Sequence, residues 1–428
     1  MATPESGGPA EPAAGIGEVW RRESPHVLAA LLRRYGDLGD CEDAAQEAAE
    51  AAAAQWPGEG VPDNPRAWLI RVASRKLIDR FRSDRARADR ETTVGTARPA
   101  DVDQAPPADV APSSESDDTL RLILLCCHPS LSRPSQVALT LQAMGGLSTA
   151  QVAAAYLVPE RTMAQRLTRA RATLRDAGAE FELPAADALP ERIAAVLDVC
   201  HLMFNEGYTR SGGEELLDVG LTTEAIRLTR QLHRALPDHD EVAGALALML
   251  LTQARAAARV DAAGDLIPLD LQDRGLWDRT LITEGVEIVQ RILPRGPVGR
   301  FQLSAAIAAV QAEAPTAADV DWLEISLLYG MLDQVAPSPA VTLNRAVAVG
   351  MALGPEQGLI IIDGLLADPA MQRHHRVHAV RAHLLERAGD PDGAMESYLR
   401  AAQLTTSLPE QRYLNSRYLD LKERTPRV

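Results

Sequence analysis

The chain has 428 residues, 46% hydrophobic and 24% charged, with a net charge of −15. At roughly 100–200 residues per domain this length accommodates two to four domains, each able to bury a core. No run approaches the roughly 18 uncharged apolar residues of a membrane span, and the N-terminal stretch MATPESGGPAEPAAG lacks the basic start and apolar run of a secretory signal. Integral membrane proteins are thereby excluded. Cys41, Cys126, Cys127 and Cys200 are too few for a disulfide scaffold and show no Cys-x-x-Cys spacing. A reducing cytoplasm is expected, with no metal and no cofactor.

The charge is unevenly laid out. Residues 64–91 hold nine Arg/Lys (66, 71, 75, 76, 80, 82, 85, 87, 90) against four acids. Residues 148–175 hold five Arg (161, 166, 169, 171, 175) against Glu160. Two short basic islands in an acidic chain imply two local polyanion contacts and argue against a general nucleic-acid coat.

In chain order, residues 1–15 are Pro/Gly/Ala/Glu-rich and are expected to be disordered. Residues 16–91 read as a helical domain. Segment 40–56 is Ala-rich with acids placed early, which suits helix propensity and dipole, and Pro57, Gly58, Gly60 and Pro62 break it. Asn64-Pro65 is an N-cap followed by proline at the first helical position. The helix it opens carries apolar Trp68, Leu69, Val72, Ile78 and Phe81 among its arginines. Cationic grooves with aromatic platforms suit single-stranded nucleic acid, and this helix has both residue types. Residues 92–118, with four prolines and six acids, read as a flexible acidic linker.

Residues 119–178 form a second helical unit. Ser148 caps a short helix over 149–156, Leu157-Val158-Pro159 turns the chain, and 160–175 is the next helix. Met163, Leu167, Ala170 and Leu174 make one apolar stripe, and Arg161, Thr162, Gln165, Arg166 and Arg169 fall opposite. This is a helix-turn-helix pattern, whose second helix would place Arg and Gln in the major groove. The same pattern also describes an amphipathic pair whose Arg face is merely solvated.

From residue 185 to 428, amphipathic helices alternate with Pro, Gly and Asp breakers. No segment sustains period-2 alternation, so the fold class is all-α. Segments 342–351 and 356–366 pair around Gly354-Pro355, and 377–387 and 392–404 pair around Gly389-Asp390-Pro391. Ala394, Tyr398 and Ala401 have the small–aromatic–small spacing of a tetratricopeptide helix hairpin. Residues 191–335 show helices without a clear period, as irregular capping members of such an array. His374, His375 and His378 allow an i, i+4 pair but no third ligand follows, so a His-rich helix start is expected rather than a metal site. Cys126-Cys127-His128 and Cys200-His201 read as buried thiols beside helix ends, and Gly212-Gly213 and Gly264 as turn residues. Segment 269–278 packs three acids, Arg274 and Trp277 together at the opening of a helix. Asp270 or Asp273 reads as a cap there and Trp277 as core.

These motifs, in this order, resemble a known family. Asp40-Cys41-Glu42-Asp43-Ala44-Ala45-Gln46-Glu47 with Gln55-Trp56 is similar to region 2.1–2.2 of bacterial RNA polymerase sigma factors. Asn64-Pro65-Arg66-Ala67-Trp68-Leu69 with Leu77-Ile78-Asp79-Arg80-Phe81-Arg82 resembles their regions 2.3 and 2.4. Gly146-Leu147-Ser148 with Val158-Pro159-Glu160-Arg161-Thr162-Met163 and Arg166-Leu167 resembles region 4.2. With no region 3 between them, the layout resembles the extracytoplasmic function sigma factors. Phe204-Asn205-Glu206-Gly207-Tyr208, Gln272-Asp273-Arg274, Ala312-Glu313-Ala314-Pro315 and Leu343-Asn344-Arg345 are similar to the subgroup with a long helical extension. Ala44, Ala45, Ala48 and Ala49 depart from the bulkier residues usual in region 2.2.

The resemblance implies a non-enzymatic, cytoplasmic protein that gives polymerase its promoter choice. Asp40, Glu42, Asp43, Gln46 and Glu47 would meet the clamp of the largest core RNA polymerase subunit, and the flap would also be contacted. Asn64, Arg66, Trp68, Arg71, Arg75, Lys76, Asp79, Arg80 and Arg82 would hold and melt the −10 element. Arg161, Thr162, Gln165, Arg166, Arg169 and Arg171 would read the −35 element. Asp273 and Arg274 would dock the extension against the promoter-binding domains, and a protein partner of the repeats is expected. The competing readings are a helix-turn-helix regulator that does not recruit polymerase and an enzyme within residues 191–428.

Overall fold

The structure is a computed structural model describing residues 12–91, 115–156, 158–209, 219–261 and 264–424. The expectations for residues 1–11, for the linker over 92–114, for Leu157 and for Gly212-Gly213 lie outside these. The described residues form α-helices and short 3₁₀ turns, with one isolated antiparallel bridge between Val260 and Leu266. The chain is all-α, and it divides into two compact units, residues 1–199 and 200–428.

In the first unit, α1 (Pro12–Tyr35), α2 (Leu38–Glu59) and α3 (Pro65–Glu91) share one core. Val27, Leu28, Leu31 and Leu32 meet Ala44, Ala45, Ala48, Ala52 and Trp56 of α2 and Leu69, Ala73 and Leu77 of α3, all buried. The small Ala stripe lets α2 approach its neighbours closely. Two boundaries differ from expectation. Residues 12–15, read as disordered, begin α1, because a proline is tolerated in a first turn where its missing N–H has no helical partner. The second helix runs through Pro57 to Glu59, since a proline one turn from the end removes a single backbone bond. Gly60, at φ +85°, then closes the turn by donating to the Trp56 carbonyl.

The next helices are α4 (Glu115–Cys126), α5 (Arg133–Ala143), α6 (Thr149–Ala155) and α7 (Glu160–Asp176). Residues 115–118, assigned to the linker by composition, open α4, where acids suit the helix dipole. Helix α8 (Leu189–Tyr208) carries the chain through the division between units. Its start belongs to the first unit: Arg192 donates to the Leu124 carbonyl and Arg133 pairs with Asp198 at 2.6 Å. All four cysteines are buried and free, but Cys200 lies inside α8 rather than beside a helix end.

The second unit continues with α9 (Val219–Ala235), α10 (Asp240–Gln253), α11 (Arg279–Ile292) and α12 (Arg300–Glu313). Helix α10 is apolar almost all round and forms the centre of this group. Its Leu246, Ala247, Leu250 and Leu251 pack with Ile282, Ile288 and Val289 of α11 and with Ala305, Ala306 and Ala309 of α12. Then α13 (Trp322–Val335), α14 (Pro339–Leu353), α15 (Pro355–Leu366), α16 (His375–Arg387), α17 (Pro391–Leu404) and α18 (Leu408–Arg424) follow, each packed on the next. The two hairpins expected around Gly354 and Gly389 are present, and both glycines have positive φ. Ala394, Tyr398 and Ala401 are buried together, as their spacing requires.

Candidate nucleic-acid and polymerase interface

The helix-turn-helix is built by local chemistry. Ser148 Oγ accepts from the Gln151 N–H at 3.2 Å, and Gln151 Oε1 accepts from the Ser148 N–H at 2.9 Å, a reciprocal capping box. Met163, Leu167, Ala170 and Leu174 form the buried stripe of α7. Arg161, Thr162, Gln165 and Arg169 are exposed on the other side, and Arg166 is half-buried with its guanidinium over the Tyr156 ring, 5.7 Å from the centroid. No side chain caps the N-terminus of α7, so its first N–H groups face outward beside the arginines. Arg171 is different. It turns to α2, where its Nε stands 2.6 Å from Glu42 Oε2 and its Nη2 2.9 Å from Gln142 Oε1. Expected among the reading residues, it is spent on a contact inside the unit, because position 171 lies at the edge of the apolar stripe.

Helix α3 starts as read: Asn64 Oδ1 accepts from the Ala67 N–H at 3.0 Å. Leu69, Ala73 and Leu77 face inward, leaving Arg71, Arg75, Asp79 and Arg82 as one exposed row. Trp68 is half-buried and meets Trp56 edge-on, with ring centroids 5.3 Å apart. Three other cations of the expected −10 set have acidic partners within the unit. Arg66 pairs with Glu23 at 2.7 Å, Lys76 with Glu47 at 3.4 Å, and Arg80 with Glu47 at 2.6 Å and Asp43 at 3.4 Å.

Helix α2 presents Asp43 and Gln46 openly and Asp40 and Glu47 partly. Glu42, expected as an exposed carboxylate, has only 6% of its side chain exposed. Burial pushes its carboxyl above the ordinary value, and Arg171 offsets this only in part. Burial, then the Asp37 charge, also raises Asp40. Asp37 was not singled out in the sequence, although an acid three residues before Asp40 at a helix start is a cap signal. Its side chain accepts from the Asp40 N–H at 2.9 Å and pairs with Arg175 at 2.8 Å. Burial alone would raise Asp37, but the bonds from Arg175 and the Asp40 backbone hold it below the ordinary carboxylate value. Trp20 is a second residue the sequence did not flag; its Nε1 donates to the Gly146 carbonyl at 3.0 Å.

In the second unit, Asp273 caps a 3₁₀ turn through the Gly275 N–H, and Asp278 caps α11 through Thr280 and Leu281. Arg274 donates to the carbonyls of Gln311 and Ala314 at 2.7 and 2.8 Å and lies 4.3 Å from the buried Trp277 ring centroid. Both expected docking residues thus make contacts within the extension itself. His375 begins α16 and meets Glu410 at 3.1 Å, and His378 bonds the Gln372 carbonyl. Among the described residues, no group of three or more His, Cys, Asp and Glu could hold a metal ion, and no helix is long and apolar enough to cross a membrane.

Comparison with known families reproduces this partition. The model described as Sigma-70 region 2 matches residues 19–87, which span α1–α3, and Sigma-70, region 4 matches residues 121–174, ending with α7. A probable ECF RNA polymerase sigma factor, SigI of Mycobacterium tuberculosis, is 30% identical over 36% of the chain and 53% of its own length. This chain belongs to the extracytoplasmic function sigma factors. The sigma factor spans about half the length of SigI, and 75% of the ECF sigma factor SigK of Mycobacterium ulcerans, which is 29% identical over 35% of the chain. A family of unknown function (DUF6596) matches residues 192–293, consistent with the subgroup bearing a long extension. An uncharacterised protein of Rhizobium meliloti is 40% identical over 91% of the chain and 92% of its own length. Among solved structures, a human IFIT1 dimer with PPP-AAAA aligns over 96% of the chain and 85% of its own, at 13% identity and a TM-score of 0.36, too weak to carry an argument.

Proposed function

We propose that this sigma factor binds core RNA polymerase, recognises −35 and −10 promoter elements and initiates transcription, with the helical extension modulating its activity. One observation supports the reading above all: Arg161, Thr162, Gln165 and Arg169 stand exposed as a row over the buried stripe of α7, in the same unit as the exposed row Arg71, Arg75, Asp79 and Arg82 of α3. Such rows suit base edges on a duplex and the backbone of a strand being melted. Asp40, Asp43, Gln46 and Glu47 would meet the basic clamp of the polymerase by charge complementarity. The helix-turn-helix unit would reach the flap. No residue of this chain needs to be catalytic, because nucleotide addition belongs to the polymerase, and its place of action is the cytoplasm.

The deciding experiment is run-off transcription by core polymerase on genomic fragments with and without the protein. New, protein-dependent transcripts are expected. DNA binding without polymerase recruitment would replace this reading with that of a simple regulator. In the same assay Arg169→Ala should weaken −35 binding by about 1–3 kcal/mol if it reads a base. Truncation after Gly178 should lower transcription, and a more active truncated chain would show that the extension inhibits.

A further inference from the structure

In the second unit, helices α13, α14 and α16 and the segment 269–276 line a cavity of about 260 Å³. Trp322 of α13 with Val347 and Met351 of α14 supply an apolar wall. Val347 and Met351 are four residues apart, so they share one face of their helix. His383 and Arg387 of α16 have the same spacing and join Arg274 in the lining. A second cavity, of about 610 Å³, shares Asp270, Val347, His383 and Arg387 with the first, so the two meet at these residues.

The charge of the first cavity is unbalanced. Arg227, Arg230, Arg345 and Arg417 of the same unit each pair with a carboxylate. Among the described residues, Arg274 and Arg387 pair with none. Arg274 is half-buried and commits only Nη1, to two carbonyls, while its Nε and Nη2 bond nothing among the described residues. Burial, then the charges of Arg255 and Arg279, lower its pKa, and Asp319 offsets this only in part. His383 also bonds nothing among the described residues, and burial and Arg387 hold it towards its neutral form. Asp270 is the carboxylate in the lining, so two guanidinium charges face one acid, a surplus of one positive charge. In the adjoining cavity Glu386 is already held by Arg417 and Tyr398. A gap left over by imperfect helix packing would be apolar and would not gather cations. A partly desolvated cation without a counter-charge is costly, and fixed donors beside an apolar wall are the make-up of a pre-formed small-molecule site.

We propose that this cavity binds a small organic monoanion, its carboxylate held by Arg274 and Arg387 and its apolar body set against Trp322, Val347 and Met351. A guanidinium fork matches the two oxygens of a carboxylate. The single surplus charge favours a monoanion over a polyphosphate, and the apolar wall favours an acid with a hydrocarbon body over a bare inorganic ion. The site lies wholly within the second unit, so it stands whether or not the chain recruits polymerase, and it gives the extension a ligand of its own.

The test is calorimetric titration of the full chain with 3-phenylpropionate, hexanoate and acetate, each compared with its neutral amide. The two larger acids should bind at one site per chain and about tenfold more tightly than their amides, the scale of one charge-assisted hydrogen bond. Acetate, which has no apolar body, should bind least. Arg387 is exposed and makes no ion pair among the described residues, so Arg387→Gln should keep native circular dichroism. It should lose most of the preference for acid over amide and leave the amide's affinity unchanged, and Arg387→Lys should recover part of that preference. Met351→Trp should fill the cavity and weaken acid and amide alike; if that chain does not fold, Arg387→Gln decides the matter. Absence of binding by both larger acids, equal binding of acid and amide, or unchanged acid affinity in Arg387→Gln would each overturn the proposal. Tighter binding of an acetylated five-residue peptide ending in a free Phe carboxylate would make the occupant a protein tail and overturn the small-molecule assignment.

Discussion

Arg274 is held by three contacts, two carbonyls and one aromatic face, all within the extension. Hydrogen bonds from a charged group are worth about 1.5–3 kcal/mol, reduced where water competes, so Arg274→Ala should cost about 1–2 kcal/mol. Asp273→Ala removes one cap bond from a three-residue turn and should cost less, near the lower end of about 0.5–2 kcal/mol. Hydrogen exchange across residues 269–282 reads both, and equal protection in Arg274→Ala and wild type would show that the two carbonyls find other donors. His383 gives a pH signature. Burial, and then the nearby Arg387 charge, depresses its pKa below the ordinary value, against opposing pulls from Asp270 and Glu386. As the pH falls below about 6.5, the unfolded chain takes up this proton first. The stabilising preference for neutral His383 is thus complete above that pH and drains away below it. Thermal unfolding should be easier at about pH 5.5 than at about pH 7.5, and His383→Gln should flatten that difference without abolishing it, since His233 and His374 are depressed by burial as well. At this scale the sequence was legible wherever a residue acts on its own neighbours. Asn64, Ser148 and Asp273 were readable as caps because a cap and the backbone N–H that donates to it lie within three residues. Glu42 and Arg171 were not, because periodicity names the face of a helix but not the charge that sits opposite it 129 residues away.

Helix crossings in the extension depend on glycine at chosen points. A Cβ on Gly358 of α15 would stand 2.7 Å from the Ala346 carbonyl oxygen of α14 and 3.0 Å from Gly350 Cα. Those are backbone atoms and cannot step aside. Gly358→Ala would gain about 0.5–1 kcal/mol of helix propensity but lose about 1–3 kcal/mol to overpacking, so it should destabilise. Gly350→Ala meets a Leu384 methyl group, which can rotate away, and should be close to neutral. Gly364→Ala meets nothing within 4 Å and should stabilise. Urea midpoints for the three variants should rank in that order, and a Gly358→Ala chain as stable as wild type would mean that α14 and α15 can slide apart. The hairpins themselves were legible, because Gly354-Pro355 and Gly389-Asp390-Pro391 stop one helix and start the next within two or three residues. The reach of α2 was not, since Pro57 looks like a stop and the final turn survives it. The face of α10 was also hidden: a helix apolar on every side has no periodicity to read.

At the scale of the whole molecule, the all-α class and the order of the parts were legible, while the place where the chain divides was not. Composition puts the change after Gly178, but the start of α8 is claimed by Leu124 and Arg133, which only the folded chain brings near it. The burial of α10 has a consequence for what counts as the smallest stable piece of the extension. The family block at residues 192–293 stops before α12, yet Ala305, Ala306, Ala309 and Ala312 of α12 complete the shell around α10. The unit that recurs in sequence is therefore smaller than the core that α10 builds. A fragment of residues 185–293 should be expanded, bind a hydrophobic dye and melt without a cooperative transition, whereas residues 185–428 should melt sharply and bind none. A cooperative, dye-free 185–293 fragment would mean that α10 can shed its covering helix and still pack, leaving α12 as an added repeat instead of the closing wall of the first core.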